Sequence, residues 1–108
     1  MADEIINTIS NPLTKKHLSV VSIWEIVMKM NIGKLKLKDD IASIYKLLQK
    51  GEIEILSPAQ DDFEIYQNLP LIHKDPFDRM IISQALANDL TLITDDQHIK
   101  NYPNLKLF

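Results

Sequence analysis

The stretch HKDPFDRMIISQALANDLTLITDD, residues His73 to Asp96, decides how this chain is read. Its middle carries apolar residues at helical spacing, and LTLI is a short continuous apolar run of the kind that forms a buried parallel strand. Five aspartates punctuate it: Asp75, Asp78, Asp89, Asp95 and Asp96. Asp75-Pro76 places a capping acid before a proline at the first helical position. Asp78 falls third, where a carboxylate suits the helix dipole by ~0.3–1 kcal/mol. In TDDQHIK, Thr94 or Asp95 can cap a short helix, with Asp96 in its first turn. Local capping accounts for each acid taken singly.

The same helix and strand alternation extends outward. Ala2 to Ile9 reads as a short helix stopped by Asn11-Pro12. His17 to Val21 is a brief β-branched strand, and SIWEIVMKMNIGK a helix ending at Gly33. Asp39 to Gln49 repeats the helical pattern, Glu52 to Leu56 is a strand, and Ser57-Pro58 opens a helix running to Leu69-Pro70 with Pro58 first. After the helix from Asp75-Pro76 to Asn88 come a strand at Leu90–Thr94, a short helix at Asp95–Lys100 and a last strand at Leu105–Phe108. Strands alternating with helices predict an α/β fold around a mostly parallel sheet.

At 108 residues the chain has the size of one domain, spanning 1–108. With 45% apolar and 25% charged residues it is globular rather than disordered. No apolar run is long enough to cross a bilayer and MADEIINTIS lacks a secretory layout, so the expected location is the cytoplasm. Zero cysteines exclude a disulfide framework, a thiolate metal site and a cysteine nucleophile. A net charge of −3 offers nucleic acid no global attraction. Contact would need a local basic patch: Lys15, Lys16 and His17, or His73, Lys74 and Arg79.

Ser22, Glu25 and Lys29 form a polar stripe on an otherwise apolar helix. They read either as a capping box plus an ion pair worth about 0.2–0.5 kcal/mol, or as a carboxylate awaiting a cation. Three elements therefore present acids near helix starts, two of them just after a strand. In an open parallel sheet such junctions share one edge, where these folds bind ligands. Carboxylates without cysteine suit a hard ion, Mg²⁺ or Mn²⁺, of the kind that serves phosphodiester hydrolysis. Trp24, Met28 and Met30 read as core, and the alternating GKLKLK run as a half-buried extended segment. Arg79 reads either as a bidentate phosphate contact or as a loop anchor paired with Asp75.

SVVSIWEIVMKMNIGKLKL, followed by LPLIHKDPFDRMIISQALANDLTLITDDQHIKNY, resembles PIN-domain proteins, in particular the VapC-type toxin ribonucleases of bacterial toxin–antitoxin pairs. The motifs that carry the resemblance are S-x-W-E at a helix start, H-x-D-P-F-D-R, and T-x-D after an apolar strand. It implies a three-layer α/β/α fold, an acidic cluster binding Mg²⁺ or Mn²⁺, an RNA substrate, an antitoxin partner and a homodimer. Carried over by position, it assigns Glu25, Asp78 and Asp96 to the catalytic and metal-binding cluster. Asp95 is an additional metal-binding acid beside them and Asp75 a cap; Lys74 and Arg79 are candidate nucleic-acid contacts on the separate ground that they flank these acids in the chain. The family normally opens with a strand carrying an aspartate, and no counterpart precedes Asp3. About 25 residues are expected to be lacking, judged from usual domain sizes. Poor metal binding and weak RNA cleavage are the expected consequence. The alternative is a catalytically inactive module that engages an antitoxin or RNA. A phosphate-accepting receiver-like domain wants an acid pair after an early strand, absent before Glu25.

Overall fold

The computed structural model of the chain describes residues 11, 13–33, 41–94 and 96–107. The helix expected over Ala2–Ile9, the lysine–leucine run after Gly33, Asp39, Asp40, Asp95 and Phe108 lie outside the described residues. The chain divides into two compact units, Met1–Leu56 and Ser57–Phe108. No helix among the described residues is long and apolar enough to cross a membrane.

In the first unit, strand β1 (Lys16–Ser19) leads directly into helix α1 (Val20–Asn31), followed by α2 (Ile41–Lys50) and strand β2 (Ile53–Leu56). β1 and β2 are parallel, with His17 opposite Glu54 and Ser19 opposite Leu56. Parallel neighbours need a crossover, and the two helices supply it. The His17 imidazole uses the register directly, lying 3.3 Å from the Glu54 carboxylate. Helix α1 starts two residues earlier than its sequence pattern suggests, because the Ser19 hydroxyl accepts a hydrogen bond from the Val21 amide and caps it. Ser22 therefore falls inside the first turn and Glu25 in the second, so the expected Ser22–Glu25 capping box does not form. At the other end Gly33 adopts φ 75°, and its amide donates to the Met30 carbonyl. Glycine takes that left-handed conformation with no Cβ to crowd the backbone.

Val21, Ile23 and Leu48 are buried in this unit. The expectation that Trp24 and Met28 are core is overturned: they are 59% and 41% exposed, and Ile32 on the same stripe is 63% exposed. A helix that is apolar on nearly every side has more apolar surface than its neighbours cover.

The second unit contains helices α3 (Gln60–Gln67) and α4 (Pro76–Ala87) and the parallel strand pair β3 (Thr91–Leu92) and β4 (Lys106–Leu107), joined by a 3₁₀ turn at Ile99–Asn101. α3 begins after Pro58 rather than on it. The start is set by Asp62, a 2% exposed carboxylate at the third position that accepts the Ala59 amide at 2.8 Å. α4 follows its sequence signals closely: Asp75 caps the Phe77 and Asp78 amides at 2.8 and 3.4 Å, with Pro76 first. It ends where Asp89 takes φ 54° and the Leu90 amide reaches back to the Ala85 carbonyl at 2.8 Å. That bond is the helix-terminating Schellman contact, with aspartate in the place glycine usually holds. The Asp89 carboxylate, exposed as expected, pairs with Lys106 at 2.8 Å.

The core of this unit is Leu69, Ile82, Ile99 and Tyr102, edged by Ile72, Leu86, Leu92 and Leu105. Ile82 is fully buried, a contribution of roughly 1.5–3 kcal/mol from one side chain. α3 and α4 pack together, and the loop between them, Leu69 to Asp75, is drawn toward Tyr102 by polar contacts.

Candidate functional site

Two chain reversals in the second unit bring acids to one place. The first is the start of α4, where the cap formed by Asp75 fixes the first turn and Asp78 sits third. The second follows β3. There the Thr94 hydroxyl accepts the Asp96 amide at 3.1 Å, and Asp96 Oδ1 accepts the His98 amide at 2.8 Å. Thr94 and Asp96 thus cap successive turns leading to the 3₁₀ segment, and the Asp96 carbonyl also accepts the Lys100 amide. With Oδ1 so engaged, Oδ2 points to the α3–α4 loop.

The two carboxylates converge on one atom. His73 Nε2 lies 3.0 Å from Asp78 Oδ2 and 3.1 Å from Asp96 Oδ2. The ligand-type atoms of His73, Asp78 and Asp96 all fall within 4.8 Å of one another. The three side chains are half-buried, His73 most deeply at 14% exposure. The His73 hydrogen bond holds the Asp96 carboxyl below its ordinary pKa. The His98 and Ile99 amides push the same way, against an opposing desolvation cost.

His73 itself is fixed from several sides. Its Nδ1 accepts the Asp75 amide at 3.0 Å, its own amide donates to the Tyr102 hydroxyl at 2.9 Å, and its ring meets His98 edge-on at 5.8 Å. The sequence reading grouped His73 with a basic patch and missed this position. The available signal was its spacing, two residues before the cap Asp75 and five before Asp78.

Arg79 is 8% exposed. Its guanidinium donates to the carbonyls of Pro70 at 2.9 Å, Leu69 at 3.2 Å and His73 at 3.4 Å, and to the Tyr102 hydroxyl at 3.4 Å. It also lies over the Tyr66 ring at 4.9 Å. The expectation that Arg79 contacts nucleic acid finds no support in this placement: its Nη1 and Nη2 groups donate inside the protein. It does anchor the loop, through carbonyls rather than through the Asp75 carboxylate. Lys74, next to His73, is exposed. Glu25 sits in the second turn of α1 in the first unit, 3.8 Å from Lys29, as the spacing of the two predicts. Asp95 lies outside the described residues.

A divalent ion with oxygen ligands fits the donor set of the second unit, in which two carboxylate oxygens from separate elements already face one point. Known proteins give this arrangement its context. The chain is similar in fold to a chain in the crystal structure of VapBC2 from Rickettsia felis bound to a DNA fragment from their promoter. The two are 21% identical with a TM-score of 0.73, over 99% of this chain and 82% of that one. None of the curated proteins matches the chain. The family model for the PIN domain matches residues 2–105, which takes in β1 through Leu105 and every acid discussed above. The parallel α/β pairing, the acids gathered beyond a strand and at a helix start, and that match together make this chain a member of the PIN domain family.

Proposed function

We propose that the protein is a metal-dependent ribonuclease of the VapC toxin type, a single domain over residues 1–108 that cuts RNA phosphodiester bonds. The observation that carries the reading is the convergence of the Asp78 and Asp96 carboxylates, in a chain of the PIN domain family. Asp78 and Asp96 would hold Mg²⁺ or Mn²⁺, and the family resemblance adds Glu25 and Asp95 as further candidate ligands. The chemistry such an ion would supply is activation of a water and neutralisation of charge on the phosphate. The protein's own part is to keep the carboxylates ionised and aimed, and to bring the scissile phosphate to them. Lys74, exposed beside the cluster, offers the phosphate contact. The reading carries with it an antitoxin partner, a homodimer and a cytoplasmic location.

A second reading, a catalytically inactive module that binds an antitoxin or RNA, draws on the exposed stripe of Trp24, Met28 and Ile32. Apolar patches of that kind mark protein contacts. One experiment separates the two. Mixed single-stranded RNA is incubated with the protein in Mg²⁺ or Mn²⁺, or in chelator, and the products are sequenced. The nuclease reading expects metal-dependent cuts, weakened more than about 100-fold in Asp78→Asn and in Asp96→Asn, beyond the ~10–100-fold typical of groups one layer from a metal. Equal cleavage by wild type and both variants would identify a contaminant. No cleavage with either ion would favour the binding module.

A further inference from the structure

Both ring nitrogens of His73 are engaged, by groups of opposite kind. Nδ1 receives the Asp75 backbone N–H at 3.0 Å, and an amide N–H can only donate. Nε2 faces Asp78 Oδ2 and Asp96 Oδ2, and ionised carboxylates can only accept. The two ends require the same arrangement, a lone pair on Nδ1 and the hydrogen on Nε2. The Asp75 amide is not free to turn away. Its residue is the cap of α4, with Oδ1 tied to the Phe77 amide and Pro76 locked behind it. The backbone of His73 is held as well, its amide donating to Tyr102 and its carbonyl accepting from Arg79, and the ring rests edge-on against His98.

A histidine that ligates a metal through Nε2 needs its lone pair there, with its Nδ1–H donated to an acceptor. At His73 the group beside Nδ1 is a donor. We infer that His73 is not a third metal ligand but the positioning residue of the acid pair: an Nε2–H donor, set in that tautomer by the Asp75 amide, that holds the Asp78 and Asp96 oxygens toward one point. Each carboxylate oxygen has a second lone pair, so accepting this hydrogen leaves it able to face a cation. The HKDP segment then has a physical reading: the cap that starts α4 also selects the tautomer of the side chain that aims the acids.

The tautomer holds independently of any metal. The positioning role rests on the metal reading of Asp78 and Asp96 proposed above, and the test separates the two. Long-range ¹H–¹⁵N correlation spectra of the metal-free protein should show His73 with its hydrogen on Nε2 and a bare Nδ1, and added Mg²⁺ should leave that pattern in place. A hydrogen on Nδ1, or an Nε2 that loses its hydrogen to the ion, overturns the inference. In the second arm, Mn²⁺ binding is followed by the electron paramagnetic resonance of the free ion. His73→Ala should bind about 10–100-fold more weakly, the range for a group one layer from a metal. His73→Gln, whose side-chain amide carries an N–H to about the same place, should recover most of the loss. Wild-type binding with His73→Gln as weak as His73→Ala sinks the positioning role alone. A wild type that binds no Mn²⁺ sinks the metal reading and the role with it.

Discussion

Replacing Arg79 by methionine keeps much of the apolar stem and removes the guanidinium, and the structure sets the size of the effect. Two of its hydrogen bonds are short, to Pro70 O at 2.9 Å and Leu69 O at 3.2 Å; two are marginal at 3.4 Å. A hydrogen bond to a charged partner is worth about 1.5–3 kcal/mol, and the face of Tyr66 adds about 0.5–1 kcal/mol. Allowing for shared geometry, the loss should be about 3–5 kcal/mol, a large part of the ~5–15 kcal/mol that holds a domain together. Urea unfolding of the metal-free protein reads it directly. Arg79→Lys, with one compact ammonium in place of the fork, should recover less than half, which also keeps the test usable if the methionine variant fails to fold. A loss below about 1 kcal/mol, accompanied by weaker RNA binding, would refute the reasoning and return Arg79 to the phosphate-contacting role first read from sequence.

Two further outcomes follow from the same contacts. The Asp96 carboxyl titrates below its ordinary value of 3.8 in the folded protein, so it stabilises the fold above that pH and the benefit is lost as pH falls through the lowered value. Asp96→Asn should therefore show a shallower acid limb than wild type when urea midpoints are measured from about pH 6 down to about pH 3, and superimposable limbs would count against the His73–Asp96 contact. Trp24, at 59% exposure, should cost less than about 1 kcal/mol when changed to serine, whereas a larger loss in thermal unfolding would mean that the indole is buried after all.

Much of the site is legible in the sequence alone. Asp75, Pro76 and Asp78 carry their positions in their spacing, because a cap, a proline and a third-position acid are local events within one turn. Asp89 at the helix end and Gly33 after α1 were readable for the same reason, as was the Glu25–Lys29 pair one turn apart. The misplaced starts of α1 and α3 show the limit of that approach. Ser19 rather than Ser22 caps α1, and a buried Asp62 rather than Pro58 sets α3.

What the sequence determined by itself is the set of local decisions: strand or helix, where most helices stop, which acids stand at turns, and through its motifs the family. Tertiary structure alone decided which groups meet. His73 and Asp96 are separated by 23 positions and Arg79 and Tyr102 by the same number. Nothing periodic links residues so far apart, since their approach depends on how α3, α4 and the β3 junction pack over Leu69, Ile82 and Tyr102. Burial is likewise a property of the packed chain. The arginine that reads as a phosphate contact is sealed under its own loop, and the tryptophan that reads as core faces outward, because a side chain's chemistry limits its partners while the surrounding elements choose among them.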